Sequence, residues 1–145
     1  MSRKFFTPMA TLRLEIVTPE SRAYSDDVDM VVVPGVEGEM GILPMHMPVM
    51  SQIQPGELIV TKGNQTLHLA VGEGFVEITQ ERVNVLTDMA IEEKQIDEAA
   101  AEAAVKRAEE AIASREYGGE EAAAVQAALM KSLAQLHVKR RRRSG

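Results

Sequence analysis

The chain has 145 residues and a net charge of −6, with 45% apolar residues, 3% aromatic residues, no Trp and no Cys. Its length allows one domain or two small ones, and the apolar share is enough for a packed core, which excludes disorder over most of the chain. The lack of Cys rules out disulfides and thiolate metal sites, and so few aromatics argue against a base- or sugar-stacking module.

The charge is unevenly placed. Residues 1–90 carry 6 basic and 12 acidic side chains, whereas residues 91–145 carry 10 of each. Five of the latter basic residues form one run, Lys139, Arg140, Arg141, Arg142 and Arg143. An acidic body repels nucleic acid, so no nucleic-acid partner is expected. No run of about 18 apolar residues occurs, and residues 1–10 lack the apolar core of a secretory signal. The expectation is a soluble intracellular protein without direct membrane insertion.

Up to about residue 90 the apolar pattern has a period of two. Leu12, Leu14 and Ile16 alternate with Arg13 and Glu15, and Val28, Met30 and Val32 alternate with Asp27 and Asp29. Further runs follow at Leu58 and Val60, at Leu67, Leu69 and Val71, at Val76 and Ile78, and at Val83 and Val85. Each reads as a half-buried strand. Pro34-Gly35, Pro55-Gly56, Gly63-Asn64 and Gly72-Glu73-Gly74 supply turns between them. Residues 57–71 read as a hairpin turning at Gly63-Asn64, and Gln80-Glu81-Arg82 as another tight turn. Short strands at this spacing predict an antiparallel β-sandwich or flattened barrel.

After residue 90 the period becomes helical. Asp97 is placed to cap a helix, with Ile96 and Ala101 positioned for a hydrophobic staple. Residues 97–115 contain neither Gly nor Pro, and Tyr117-Gly118-Gly119 ends the helix. A second helix is predicted from about Glu120 to His137, with Val125, Leu129, Leu133 and Leu136 on one stripe. The short connection makes the pair antiparallel. The facing stripe of the first helix is expected to be Ala100, Ala104, Ala108 and Ala111 with Ile112. Alanines bury little area, so the hairpin is expected to be weakly held and free to move.

Candidate catalytic chemistry is sparse. There is no phosphate-binding loop and no nucleophile elbow, and Gly35, Gly38 and Gly41 read as turns around Val36-Glu37. His46, His68 and His137 fall in different elements, which disfavours a shared metal site. His68 reads as the polar face of a strand, and His137 as the last turn of a helix, where partial positive charge suits the dipole. Asp26, Asp27 and Asp29 read as a solvated strand entry and not as a calcium loop. No catalytic residue, metal or cofactor is expected.

Several segments resemble one family in order and spacing. They are residues 14–20 (LEIVTPE), 31–35 (VVVPG), 37–44 (EGEMGILP), His46-Met47-Pro48, Gln54-Pro55-Gly56, 74–77 (GFVE) and 83–88 (VNVLTD). Ile96-Asp97 and Lys106-Arg107-Ala108-Glu109 continue the match. The chain is similar to the epsilon subunits of bacterial-type F-type ATP synthases. That resemblance implies a ten-stranded β-sandwich (residues 1–92) followed by a regulatory helical hairpin with a basic tail (residues 93–145). It implies a non-catalytic rotor role at the cytoplasmic face of a bacterial membrane, with the stromal face of a thylakoid as the second placement.

The implied partners are the gamma subunit, the polar loops of the c-ring and, transiently, the alpha and beta subunits. The family's ring contact falls on Glu39 and His46, with Met45 and Met47 beside them as adaptable apolar surface. Arg140, Arg141, Arg142 and Arg143 become candidates for contact with the catalytic head when the hairpin extends. Some relatives bind ATP through an Ile/Leu-Asp-x-x-Arg-Ala motif on the hairpin. Here Asp97 is present but Ala100 stands where the Arg would be, and Arg107 matches a second basic position. Losing that guanidinium predicts weak or no ATP binding. The alternative reading is a free-standing β-sandwich binding module whose basic tail meets DNA or acidic lipid.

Overall fold

The structure, a computed structural model, describes residues 11–114 and 118–144, with side chains described up to residue 141. Ten strands come first: β1 (Leu12–Val17), β2 (Arg22–Val28), β3 (Met30–Gly35), β4 (Gly38–Ile42) and β5 (Val49–Ile53), then β6 (Gly56–Lys62), β7 (Gln65–Val71), β8 (Gly74–Ile78), β9 (Arg82–Thr87) and β10 (Ala90–Glu92). A 3-10 turn, Glu93–Gln95, leads into α1 (Glu98–Ser114) and α2 (Gly119–Ser144). This is the expected α+β arrangement of a β-sandwich followed by a helical hairpin.

The sheet order is β10-β7-β6-β3-β5-β8-β9-β1-β2, with β4 paired to β3. Pairing is antiparallel except between β1 and β9, which run parallel. β3 and β5 share one register pair, Gly35 with Ile53, and the sheet folds over at that seam. The inward residues of both halves then form one core, which includes Leu12, Leu14, Ile16, Val33, Leu58 and Val85. Alternating burial follows from the pleat, which turns every second side chain inward.

Local chemistry sets the turns. Lys62 pairs with Gln65 across Gly63-Asn64, and Gly63 has φ 60°, a left-handed geometry that glycine adopts without steric cost. The Asp29 carboxylate accepts the Gly63 N–H at 2.6 Å and so ties this turn to the β2–β3 junction. That junction corrects one expectation. Val28, Met30 and Val32 do not share an inward face, because the chain leaves β1 at Val28 and joins β6 from Met30 onward. The phase slips by one residue at Asp29, and Val31 and Val33 point inward instead.

The α1 start is as expected: Asp97 Oδ1 accepts the Ala100 N–H at 3.0 Å, and Ile96 and Ala101 are both buried. The helix faces differ from expectation. In α1 the buried alanines are Ala101 and Ala108, with Ala104 and Ala111 half-buried, whereas Ala100 and Ile112 are exposed. An alanine-rich helix has little difference between its faces, so its phase is set by the neighbour it meets. In α2, Leu136 is buried and Val125 and Leu129 are half-buried, but Leu133 is exposed and Ser132 takes its place. α2 also runs on to Ser144, past the expected end at His137. Lys and Arg are good helix formers, and bonds from Lys139, Arg140 and Arg141 to other elements hold this last part in place.

Candidate partner-binding surfaces

The hairpin covers one face of the sandwich. α2 packs on β6 and β7 and α1 packs on α2. Val138 has no exposed surface and sits against Ala70 and Ile96, flanked by Met89 and Ile91. Lys131 reaches Asp88 at 3.6 Å, and the Lys139 ammonium donates to the Glu93 carbonyl at 3.2 Å.

The other half of the sheet carries an exposed apolar row. Val17 on β1 lies beside Leu86 on β9, and Leu86 lies opposite Phe75 on β8. All three are exposed, although their neighbours Ile16, Val85 and Val76 fill the core. The next row along the same face is polar: Glu15, Asn84 and Glu77. Large apolar side chains in register on an outward face make this a candidate contact surface. Phe75 and Leu86 were not singled out in the sequence, but a signal exists. Each is a large apolar residue at an outward position of an alternating strand, against the phase that Val76 and Val85 set.

The loop between β4 and β5, with the first residues of β5, forms a second apolar surface. Leu43, Met45, Met47, Val49 and Met50 are all exposed, Met47 most of all at 79%. The Met45 N–H donates to the Gln80 carbonyl at 2.9 Å, which anchors the loop to the β8–β9 turn. Met45 has φ 67°, a conformation with a steric cost for a side chain with a Cβ, and its side chain is exposed. His46 is half-buried and its Nδ1 lies 2.8 Å from the Met47 carbonyl. Glu39 is exposed near the start of β4, opposite Pro34. The end of that strand, where the loop begins, is about 10 Å further on at ~3.3 Å per residue. The structure therefore gathers Met45, His46 and Met47 on one loop and leaves Glu39 apart from them. Glu39 lies in a groove with Met130, Leu133 and His137 of α2.

The basic end of α2 is turned toward its own chain. Arg140 Nε donates to Glu98 Oε2 at 2.9 Å, and a second nitrogen pairs with Glu102, so both bonds run to α1. The Glu98 hydrogen bond, with the Glu102 charge added, raises the Arg140 pKa above its ordinary value. Arg141 pairs with Glu57 on β6. The side chains of Arg142 and Arg143 lie outside the described residues.

Glu57 is a residue the sequence reading passed over. Its side chain is only 3% exposed, and its Oε2 meets His68 Nδ1 at 2.7 Å. His68 does lie on the outward face of a strand, as expected, but the hairpin lies over that face. His137 sits within α2 and not at its end, with Nε2 3.9 Å from Glu57 Oε1. Nothing in the β6–β7 pattern distinguishes an outward face open to water from one covered by a helix.

The residues of the expected nucleotide motif are not brought together. Asp97 is engaged as the α1 cap, Ala100 is exposed, and Arg107 is an exposed residue about 15 Å along the helix from Asp97 at ~1.5 Å per residue. No helix among the described residues is long and apolar enough to cross a membrane.

Comparison with known proteins fits this architecture. Residues 11–93 match the family model described as ATP synthase, Delta/Epsilon chain, beta-sandwich domain. Residues 94–140 match that described as ATP synthase, Delta/Epsilon chain, long alpha-helix domain. The chain is 44% identical over 135 residues to an ATP synthase epsilon chain of Dehalococcoides mccartyi, covering 93% of this chain and 96% of the relative. It is 41% identical over 133 residues to that of Herpetosiphon aurantiacus, with coverage of 92% and 97%. Among solved structures, a chain of the Euglena gracilis mitochondrial ATP synthase shares the fold with a TM-score of 0.73 at 20% identity, covering 92% of this chain and 91% of that one. With both halves matched and near-full-length relatives above 40% identity, the chain belongs to the ATP synthase epsilon chain family.

Proposed function

We propose that the chain is a non-catalytic rotor subunit of an F-type ATP synthase, joining the gamma subunit to the c-ring and restraining ATP hydrolysis through its hairpin. Residues 1–92 form the body and residues 93–145 the regulatory arm. The observation that carries this reading is the row Val17, Leu86 and Phe75, an apolar strip on the half of the sheet that the hairpin leaves free. We assign that strip to gamma. The β4–β5 loop, with Met45, His46 and Met47, meets the polar loops of the ring, and Glu39 approaches the ring from the start of β4. The protein then lies at the cytoplasmic face of a bacterial membrane, held there by its partners.

The arm has a second position in this reading. Arg140 and Arg141 are engaged within the chain while the hairpin is docked. Contact with the alpha and beta subunits requires the basic end of α2 to exchange these carboxylates for others. The same ion pairs weaken the alternative of a free-standing module with a projecting basic tail, since the first arginines of that tail are turned inward.

The test is assembly of Leu86→Glu into a complex with gamma and the ring, compared with the unchanged chain and with Glu77→Gln on the neighbouring polar row. A carboxylate in the centre of the strip should abolish retention with gamma, while Glu77→Gln should assemble normally. Retention of Leu86→Glu at the level of the unchanged chain would overturn the assignment of this face.

A further inference from the structure

The Glu57 carboxylate divides its two oxygens between two parts of the molecule. Oε2 faces His68 Nδ1 at 2.7 Å, from the adjoining strand β7. Oε1 faces Arg141 and, at 3.9 Å, His137 Nε2, both from α2. The first contact stays with the body wherever the hairpin goes. The second exists only while α2 lies on the sheet. His137 and Arg141 are four residues apart, so they stand one helical turn apart on the same side of α2. Val138 between them is fully buried against Ala70 and Ile96, which fixes the register at which the two basic groups arrive.

A carboxylate this enclosed is poorly solvated and needs a compensating cation. Other charges border the site. Glu92, Glu93 and Lys94 share a groove with His68, and Glu39 shares one with His137. Arg141 is the permanently charged group that the arm brings to Glu57, with His137 beside it. Its neighbour Arg140 points to α1, bonding Glu98 and Glu102. Two successive arginines therefore bind α2 to different things: Arg140 to its own hairpin partner, Arg141 to the body.

We infer that Glu57 and Arg141 form a release latch, a buried socket and its key, that sets how often the hairpin leaves the sandwich, and that the hairpin leaves as one α1–α2 unit held by Arg140. His68 orients the socket by holding Oε2, so that Oε1 faces the arriving helix. Undocking exposes Glu57 to water, which then solvates it, so the latch is reversible and costs little in the open state. Arg141 cannot pair with Glu57 and with an acidic surface elsewhere at once. An acidic partner surface and the body therefore compete for the same guanidinium. The latch is a property of the isolated chain and stands or falls separately from the rotor assignment.

The experiment is native-state hydrogen exchange on the full chain alone, comparing Arg141→Gln, Glu57→Gln, the double variant and Arg140→Gln. Arg141→Gln should speed exchange of the Ala134–Val138 backbone amides about 10- to 100-fold, the range for losing a hydrogen bond to a charged group. Amides of the core strands should be unchanged. Glu57→Gln should act in the same direction, and the double variant should be no faster than the faster single one. Arg140→Gln should speed α1 amides more than those of α2. Arg141 is half exposed on the helix surface, so its replacement leaves the fold intact and the result interpretable even if Glu57→Gln perturbs β6. Unchanged α2 exchange in Arg141→Gln, or single effects that multiply in the double variant, would overturn the latch.

Discussion

Replacing Val138 with Ala probes whether the arm is energetically separable from the body. Val138 has 0% exposure and packs on Ala70 and Ile96, outside the main core of the sandwich. The substitution removes two carbons, about 1.6 kcal/mol at ~0.8 kcal/mol per buried methylene. A term for the gap left behind brings the loss to about 1.6–2.5 kcal/mol. That corresponds to an increase of about 15- to 60-fold in the undocked population, at ~1.4 kcal/mol per tenfold. Residue-resolved hydrogen exchange reads this directly. Amides of the C-terminal half of α2 should exchange faster by that factor, while those of Val31, Val33, Val76 and Val85 keep their rates. An equal acceleration in arm and body would refute the reasoning, because it would mean that the hairpin opens only when the sandwich unfolds.

Two further outcomes follow from local geometry. A Cβ at Gly74 would lie 1.8 Å from the Leu86 carbonyl oxygen, which is fixed backbone, so Gly74→Ala must displace β8 from β9. Denaturant titration should show a loss of at least the ~1–3 kcal/mol of an overpacked site, together with loss of gamma binding as the Phe75–Leu86 row is displaced. At the β2–β6 edge, the Lys62 hydrogen bond and the Asp27 backbone N–H hold the Asp26 carboxyl below its ordinary pKa. Such a depressed group contributes stability above its unfolded pKa and loses it as pH falls through the folded value. Lys62→Met should therefore move the Asp26 titration, followed by carboxyl carbon NMR, upward toward the ordinary carboxylate range.

Much of the body was legible because its signals are local. Turn residues and period-two alternation located the β6–β7 hairpin and the inward residues of β1, β8 and β9, since the pleat ties sequence parity to a face. Parity failed at Asp29, where a change of pairing partner slips the phase without any Gly or Pro to announce it. The site was less legible. Met45, His46 and Met47 could be placed on a surface loop from their neighbours. The row of Val17, Leu86 and Phe75 required knowing that β1 runs parallel to β9 and that β9 pairs with β8.

By itself the sequence determined the class of each half: alternating strands with turn punctuation, then two helices begun by an Asp97 cap and separated by glycines. It could not determine which face of an alanine-rich helix turns inward, because nearly identical small side chains offer no gradient to choose by. Only the tertiary structure decided that, by laying α2 between α1 and the β6–β7 surface. The same packing turned Glu57 and His68 from an outward strand face into a covered socket, and divided two adjacent arginines between the hairpin and the body. Burial of a charge depends on what arrives from 84 residues away, and local pattern carries no record of that distance.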